Sequence, residues 1–324
     1  MKRPGFVFKG FAAAALIAAA ISSAAGQPYP QKPITIIVPW PPGGSVDASA
    51  RALGKELTQL LGQPIVIDNR GGAAGSVGSG IGARAPQDGY TLTFGNATSH
   101  ATDAVTIPNL NYDPIKDFAA ISLVHKSTMT IAVTKSSPIK NFQDFLAFAK
   151  ANPGTPYGSP GIGSPQHLIG ELLNQRAGLG LNHVPYRGGG PVVSDLVGGH
   201  IPVAIGGLSQ FLALSERGDV RIIAIADDSR YPSLPNIPTL NEVYPGIRVS
   251  GWGALYAPAG TDAAILKQLG EATRKGIAAD GFKNILEASG LTPAASSPEE
   301  LVKLMQDDIA LWRDLASRGI KLQE

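Results

Sequence analysis

The chain has 324 residues, 44% of them hydrophobic and 16% charged, which is enough to bury a substantial core and rules out a disordered polymer. With 27 Lys+Arg against 25 Asp+Glu, and no basic cluster beyond the extreme N-terminus, broad electrostatic binding to nucleic acid is excluded. Cysteine is absent, which removes disulfides, thiolate metal sites, cysteine nucleophiles and a lipid-modified N-terminal cysteine.

The N-terminus reads as an export signal. Lys2, Arg3 and Lys9 precede the apolar run Phe11–Ile21, which is short for a bilayer span but suits the core of a signal peptide. Small residues from Ser22 to Gly26 place the expected cleavage after Gly26. An uncleaved membrane anchor is the other reading of this stretch. No later stretch reaches the length of a transmembrane run, so the mature chain is expected to be soluble and, having no cysteine, to reside in a bacterial periplasm.

Ile34–Val38 is a β-branched run stopped by Pro39 and reads as a buried strand. The tight loop Trp40–Ser45 leads into a helix expected from Val46 to Leu61, with Ser45 or Asp47 as N-cap and Gly62 just past its end. Strands follow at Ile65–Ile67 and Tyr90–Phe94, with a glycine-rich helix opening in Gly71–Gly82 between them. Farther on, Asn141 caps a helix over Phe142–Lys150, Thr155–Gly158 is a strand, and a helix runs from Pro165 to Ala177. Leu181–Val184 is the next strand and Val192–Val197 the next helix, followed by strands at Ile201–Ile205 and Val220–Ala226. Pro232, Pro235 and Pro238 mark a long turn region, Thr261 starts a helix, and Ser297-Pro298-Glu299-Glu300 is a capping box with Pro at the first helical position. Strand, loop and helix alternate, which predicts an α/β protein with a mostly parallel sheet covered by helices on both faces.

In such a sheet ligands sit in the crevice at the carboxyl ends of the strands. Four Gly/Ser/Thr-rich loops fall at those ends: Pro41–Ser45, Asn96–His100, Ser159–Ser164 and Tyr186–Gly190. Three of them run closely into expected helices. A helix N-terminus carries unpaired N–H groups and a partial positive charge, and glycines let an anion reach the backbone.

These residues resemble a known family. Pro41-Pro42-Gly43-Gly44-Ser45-Val46-Asp47 through Arg51, Leu61–Arg70, Asp88-Gly89-Tyr90-Thr91-Leu92, Tyr112–Phe118, Tyr157–Leu168 and His183–Gly188 are similar, in order, to the Bug-type receptors. Those are the extracytoplasmic solute-binding proteins of the tripartite tricarboxylate transporter family. The resemblance implies a two-lobed, type II periplasmic-binding-protein fold whose hinge is two crossover segments, near Val124–Thr130 and Val249–Gly253. Lobe one would be residues 27–125 and 250–324, and lobe two residues 126–249. The implied ligand is a small carboxylate: a di- or tricarboxylate, an acidic amino acid or an aromatic acid. The implied partner is the membrane permease of the transporter, with a periplasmic signalling system as the alternative. The resemblance implies no cofactor, metal or nucleic acid, and a monomer.

It also points to site residues. Pro42, Gly43, Gly44 and Ser45 would grip a carboxylate through backbone N–H groups and a hydroxyl, while Asp47 orders their loop. Trp40 either walls the pocket or fills the core. Thr98, Ser99 and His100 match a second binding loop, His100 being either a donor to ligand or a structural histidine. Family members often carry Asn three residues beyond this His, where this chain has Asp103. Ser159, Gly163 and Ser164 form the lobe-two counterpart, with His167 as a packing histidine. Tyr186 is a possible contact, and Arg187 either a counter-ion to the ligand or a solvated or lobe-bridging side chain. Asp195 would read an amino group or brace its loop.

Catalysis is not expected. Gly80-Ile81-Gly82-Ala83-Arg84-Ala85 has the spacing of a dinucleotide fingerprint but does not follow a strand directly, so it reads as helix packing. Nucleophile-elbow and phosphate-loop motifs are absent, and the histidines at 100, 125, 167, 183 and 200 lack metal-ligand spacing. A Ser164/His100/Asp195 constellation could only be assembled in space.

Overall fold

The computed structural model describes residues 29–227, 229–247, 249 and 251–318; the leader read at residues 1–26 lies outside them. No helix among the described residues is long and apolar enough to cross a membrane.

Two sheets organise the chain. The first, six-stranded, has the order β11-β4-β10-β3-β1-β2, from β1 (Ile34–Val38), β2 (Ile65–Asn69), β3 (Thr91–Asn96), β4 (Phe118–Ser127), β10 (Gly251–Pro258) and β11 (Leu291–Pro293). The second has the order β7-β6-β8-β5-β9, from β5 (Met129–Thr134), β6 (Pro156–Ser159), β7 (Asn182–Pro185), β8 (Val203–Gly207) and β9 (Val220–Ile225). The mostly parallel sheet expected from the alternation is instead two mixed sheets, in keeping with the two-lobed fold that the resemblance implies. β1 pairs in parallel with β2 and β3, and β6 with β7 and β8. β10 runs antiparallel between β3 and β4, and β5 antiparallel between β8 and β9. The antiparallel strands have a simple cause. β4 carries the chain toward the second sheet and β10 brings it back, so their directions must oppose.

The helices, in chain order, are α1 (Ser45–Leu61), α2 (Ser76–Ala83), α3 (Asp103–Thr106), α4 (Phe142–Ala151), α5 (Pro165–Ala177), α6 (Gly189–Val197), α7 (Leu208–Glu216), α8 (Leu240–Val243), α9 (Ala263–Ala278), α10 (Asp280–Ala288) and α11 (Pro298–Ser317). Several ends follow from local chemistry. Asn141 caps α4 by accepting from the Asp144 N–H, and Ser297 and Glu300 close a reciprocal capping box on α11. Gly62 ends α1 at φ 68°, a left-handed turn that glycine adopts without strain. The N-cap of α1 is Gly44 rather than Ser45 or Asp47, and it makes no side-chain cap bond. The glycines of residues 80–85 serve close packing: a Cβ on Gly82 would sit 2.0 Å from Thr93 Oγ1, and one on Gly80 2.7 Å from the Asn111 amide.

Each sheet builds its own core. Ile34, Ile36, Leu53, Leu57, Leu92 and Phe94 belong to the first, and Ile131, Val133, Phe145, Tyr157, Ile169 and Val203 to the second. α11 joins both. Its Leu301, Met305 and Ile309 pack with Tyr112, Phe118, Trp252 and Tyr256, while Trp312 and Leu315 pack into the core of the second sheet.

Candidate functional site

A cleft of about 980 Å³ lies where the strand ends of both sheets face each other. The first sheet contributes Trp40, Pro41, Pro42, Gly44, Ser45, Val46, Asn96, Ala97 and Thr98. The second contributes Pro160–Gln166, Arg187–Gly189, Gly207, Ser209 and Gln210. His125, Ser127, Met129, Gly251 and Trp252, on or beside the crossing strands, complete the lining. The N-terminal ends of α1, α5, α6 and α7 thus all open onto one space.

The first loop is held rigid from behind. Asp47, 4% exposed, accepts from the Gly43 N–H, from Arg51 Nε and from Asn69 Nδ2, each at 3.0 Å, and Asn69 also donates to the Trp40 carbonyl. Burial alone would raise the Asp47 carboxyl. The bonds from Arg51, Gly43 and Asn69 outweigh it and hold the group below the usual carboxylate range. Asp47 therefore spends its charge on the loop, leaving the early amides of α1 without a side-chain cap.

The second stretch is not an open loop: Thr98–Thr102 is a π-helical turn running into α3. Asn96 causes this, because its Oδ1 accepts the Ser99 N–H at 3.0 Å and starts the turn directly at the strand end. Thr98 reaches the cleft, whereas Ser99 and His100 turn inward and are 0% exposed. His100 stacks on Tyr256 at 4.2 Å, and burial pushes its pKa down to about 3, so the ring is neutral. Asp103, 1% exposed, lies behind the same turn with Oδ2 unpaired among the described residues; burial pushes its carboxyl up to about 8, against the opposing pull of the nearby Tyr112 hydroxyl, which itself donates to the Ser99 carbonyl.

In the third loop Ser164 caps α5, accepting from the His167 N–H and donating to the Gly161 carbonyl at 2.7 Å. Ser159 is buried and bonds His183 Nε2 at 2.6 Å rather than facing the cleft. His167 and His183 stack at 4.1 Å beneath the loop, both pushed down to about 4 by burial, so they pack as neutral rings. Ser164→Ala is expected to lower the stability of the ligand-free protein by about 1 kcal/mol through the lost cap, read as a shift in denaturant midpoint at constant slope.

In the fourth loop Tyr186 donates its hydroxyl to Asp195 at 2.6 Å, and neither residue lines the cleft. Arg187 does line it, is exposed, and has no ion-pair partner among the described residues. Of the residues singled out from sequence, the structure brings Trp40, Pro42, Gly44, Ser45, Thr98, Gly163, Ser164 and Arg187 to the cleft. Ser99, His100, Ser159, Tyr186 and Asp195 are engaged within the protein and do not line it, and exposed Gly43 gives its N–H to Asp47. Ser164, His100 and Asp195 each bond other partners and form no triad.

Sequence reasoning missed two groups. Gly207, Ser209 and Gln210 at the start of α7 carry the same strand–glycine–helix signature as the other loops, with the Gln210 Oε1 accepting the Gly207 N–H at 2.9 Å. His125, Ser127, Met129 and Trp252 carried no local signal, since the pairing of β4 with β10 and of β5 with β8 places them there. No Asp or Glu lines the cleft among the described residues, and no group of three metal-ligating side chains occurs among them. A second hollow of about 820 Å³ lies between the 110–117 loop, Ala104 and α11, lined by Asp113 and Asp117 as well as Lys116 and Arg313.

Comparison with known proteins is consistent along the whole chain. The family model described as "Tripartite tricarboxylate transporter family receptor" matches residues 49–319. Protein BugT of Bordetella pertussis is 33% identical over 317 residues, covering 97% of this chain and 96% of that protein. An R. palustris protein solved with adipate superposes with a TM-score of 0.80 at 30% identity, over 92% of this chain and 100% of that one. MatC of Rhodopseudomonas palustris, solved with bound malate, gives 0.74 at 29% identity, over 89% and 99% of the two chains.

Proposed function

This chain belongs to the tripartite tricarboxylate transporter family of receptors, and from that premise we propose that it captures a small organic carboxylate in the periplasm and delivers it, chemically unchanged, to the membrane permease of such a transporter. The observation that carries the reading is the convergence of four helix N-termini on one cleft whose lining, among the described residues, holds Arg187 and no carboxylate. Aimed N–H groups and one exposed guanidinium favour an anion, and they do so without a buried counter-charge to desolvate. The relatives solved with adipate and malate support the same ligand class.

The grip is read as follows. Gly44, Ser45 and Thr98 hold one end of the anion; Gly163, Ser164, Arg187 and the α7 amides meet it from across the cleft. The lobes divide at residues 27–125 with 250–324 and 126–249, and they close on the ligand about the two crossovers. Only contacts from both lobes favour the closed form, because a ligand that binds both forms equally shifts nothing. An amino-acid ligand is disfavoured, since Asp195 is engaged by Tyr186 and no acidic side chain among the described residues waits for an ammonium. The protein acts as a monomer and catalyses nothing.

Calorimetric titration with adipate, malate and the corresponding amides tests the reading. The acids should bind and the amides should bind far more weakly; equal binding of acid and amide ends the carboxylate claim. Arg187→Gln is expected to weaken binding of the acid about 10-fold or more, with a shallower salt dependence, since a charge-assisted hydrogen bond contributes about 1.5–3 kcal/mol. An unchanged affinity would assign Arg187 to solvent.

A further inference from the structure

We propose that His125 is a ligand-contacting donor whose tautomer is set by Ser49, so that its Nε2–H is presented to an oxygen of the bound anion. The inference rests on the carboxylate-receptor reading and adds to it a residue that no loop motif marks.

His125 lies on β4, on the stretch that leads from the first sheet toward the second, and is 2% exposed while lining the cleft. Its Nδ1 is 2.8 Å from Ser49 Oγ, which is 0% exposed and sits on α1 behind the first binding loop. That contact is the one hydrogen bond of the Ser49 side chain among the described residues. A buried hydroxyl seeks an acceptor for its proton, so Ser49 donates and Nδ1 accepts. A neutral imidazole carries one N–H, and with Nδ1 accepting it must be on Nε2. Burial keeps the ring neutral, pushing its pKa down to about 4.

Nε2 makes no hydrogen bond among the described residues, yet it is not a sealed, unpartnered atom of the kind found at His100 Nε2. A donor on a cleft-lining ring with no protein acceptor awaits one from outside. The backbone has been shaped around the ring: a Cβ on Gly253, opposite on β10, would lie 2.3 Å from Cε1 and 2.9 Å from Nε2. Phe94 stacks on the ring with centroids 6.0 Å apart and planes 23° apart, which fixes its tilt. A rigid neutral donor at the junction of the lobes suits a carboxylate or carbonyl oxygen and has nothing to offer an ammonium.

The test uses the whole protein with adipate as probe. Imidazole ¹⁵N shifts of the ligand-free protein should show the Nε2–H tautomer at His125, and adipate should move the Nε2 resonance more than Nδ1. An Nδ1–H tautomer overturns the proposal whether or not a ligand is found. His125→Leu should weaken adipate about 10- to 100-fold, the loss of a hydrogen bond to a charged group. His125→Gln, whose side-chain amide can place an N–H near the same point, should recover most of that loss. Should His125→Leu fail to fold, Ser49→Ala carries the test: it should mix the two tautomers and weaken adipate several-fold, and an unchanged tautomer overturns the proposal. A wild-type protein that binds none of adipate, malate and their homologues sinks the carboxylate reading and this contact with it. A wild-type protein that binds, matched by His125→Leu, sinks the contact alone.

Discussion

Asp103→Asn is expected to make the protein more stable than the wild type by about 3 kcal/mol near pH 8, while near pH 4 the two should be equal or the variant slightly weaker. Asp103 is 1% exposed, its Oδ2 has no partner, and burial holds its carboxyl up at about 8. In the unfolded chain an aspartate ionises near pH 3.9, at about its reference value. Between those two points the folded protein holds a proton that the unfolded chain has released, so stability falls as pH rises, by about 1.4 kcal/mol per unit at most. Asparagine has no proton to lose and flattens that slope. Its amide leaves unpaired N–H groups where Oδ2 sits, which costs about 1 kcal/mol and sets the disadvantage at low pH. Urea unfolding at a series of pH values reads the difference directly; parallel curves for the two proteins would mean that Asp103 ionises normally.

Trp252→Phe is the second large effect, with the opposite sign. Trp252 Nε1 donates to Asp308 Oδ2 at 2.7 Å, joining the return strand β10 to α11. Burial, helped by the neighbouring Asp307, raises the Asp308 carboxyl to about 6 against the pull of that bond. Above that point the carboxylate is charged and depends on the indole. Removing the donor should cost about 3 kcal/mol near pH 8, close to the value of a hydrogen bond to a charged group. Below about pH 5, where Asp308 is protonated, the loss should shrink to about 1 kcal/mol. Adding Asp308→Asn should erase the pH dependence of the difference. A cost that is the same at both ends of the range would show that Trp252 contributes through packing alone.

The two substitutions bear on the same architecture. α11 places Leu301, Met305 and Ile309 on the first side and Trp312 and Leu315 in the core of the second, so the helix ties the two cores together outside the crossing strands. Asp308, next to Ile309 on that helix, is bonded to a tryptophan that lines the cleft. The Trp252–Asp308 bond therefore lies on the path by which the cleft and the C-terminal helix contact each other.

Much of this protein is written in short-range sequence signals. β1, α5 and the capping box of α11 fall where apolar runs, Pro165 and Ser297–Glu300 put them, because caps and β-branched runs act within a few residues. The loops Trp40–Ser45, Gly163–Ser164 and Arg187–Gly189 were likewise legible, since an open helix N-terminus after a strand needs glycine and small polar residues locally. The sequence left alternatives open where a partner met only in the fold decides. Whether Ser99 and His100 face the cleft or the core depends on the room offered by Tyr256 and Phe118 and on the turn started by Asn96. Whether Tyr186 and Asp195 face a ligand depends on their finding each other across nine residues.

By itself the sequence determined the strand–loop–helix units, their caps and the chemistry of the loops, since each is settled by neighbours along the chain. The tertiary structure alone decided that each of the two sheets is mixed, with β10 and β5 antiparallel to their neighbours, and that His125, Met129, Gly251 and Trp252 meet at the cleft. His125, Gly251 and Trp252 are set by the pairing of β4 with β10, strands more than a hundred residues apart, and Met129 by the pairing of β5 with β8; no local pattern encodes a register between segments that meet only when the chain has folded.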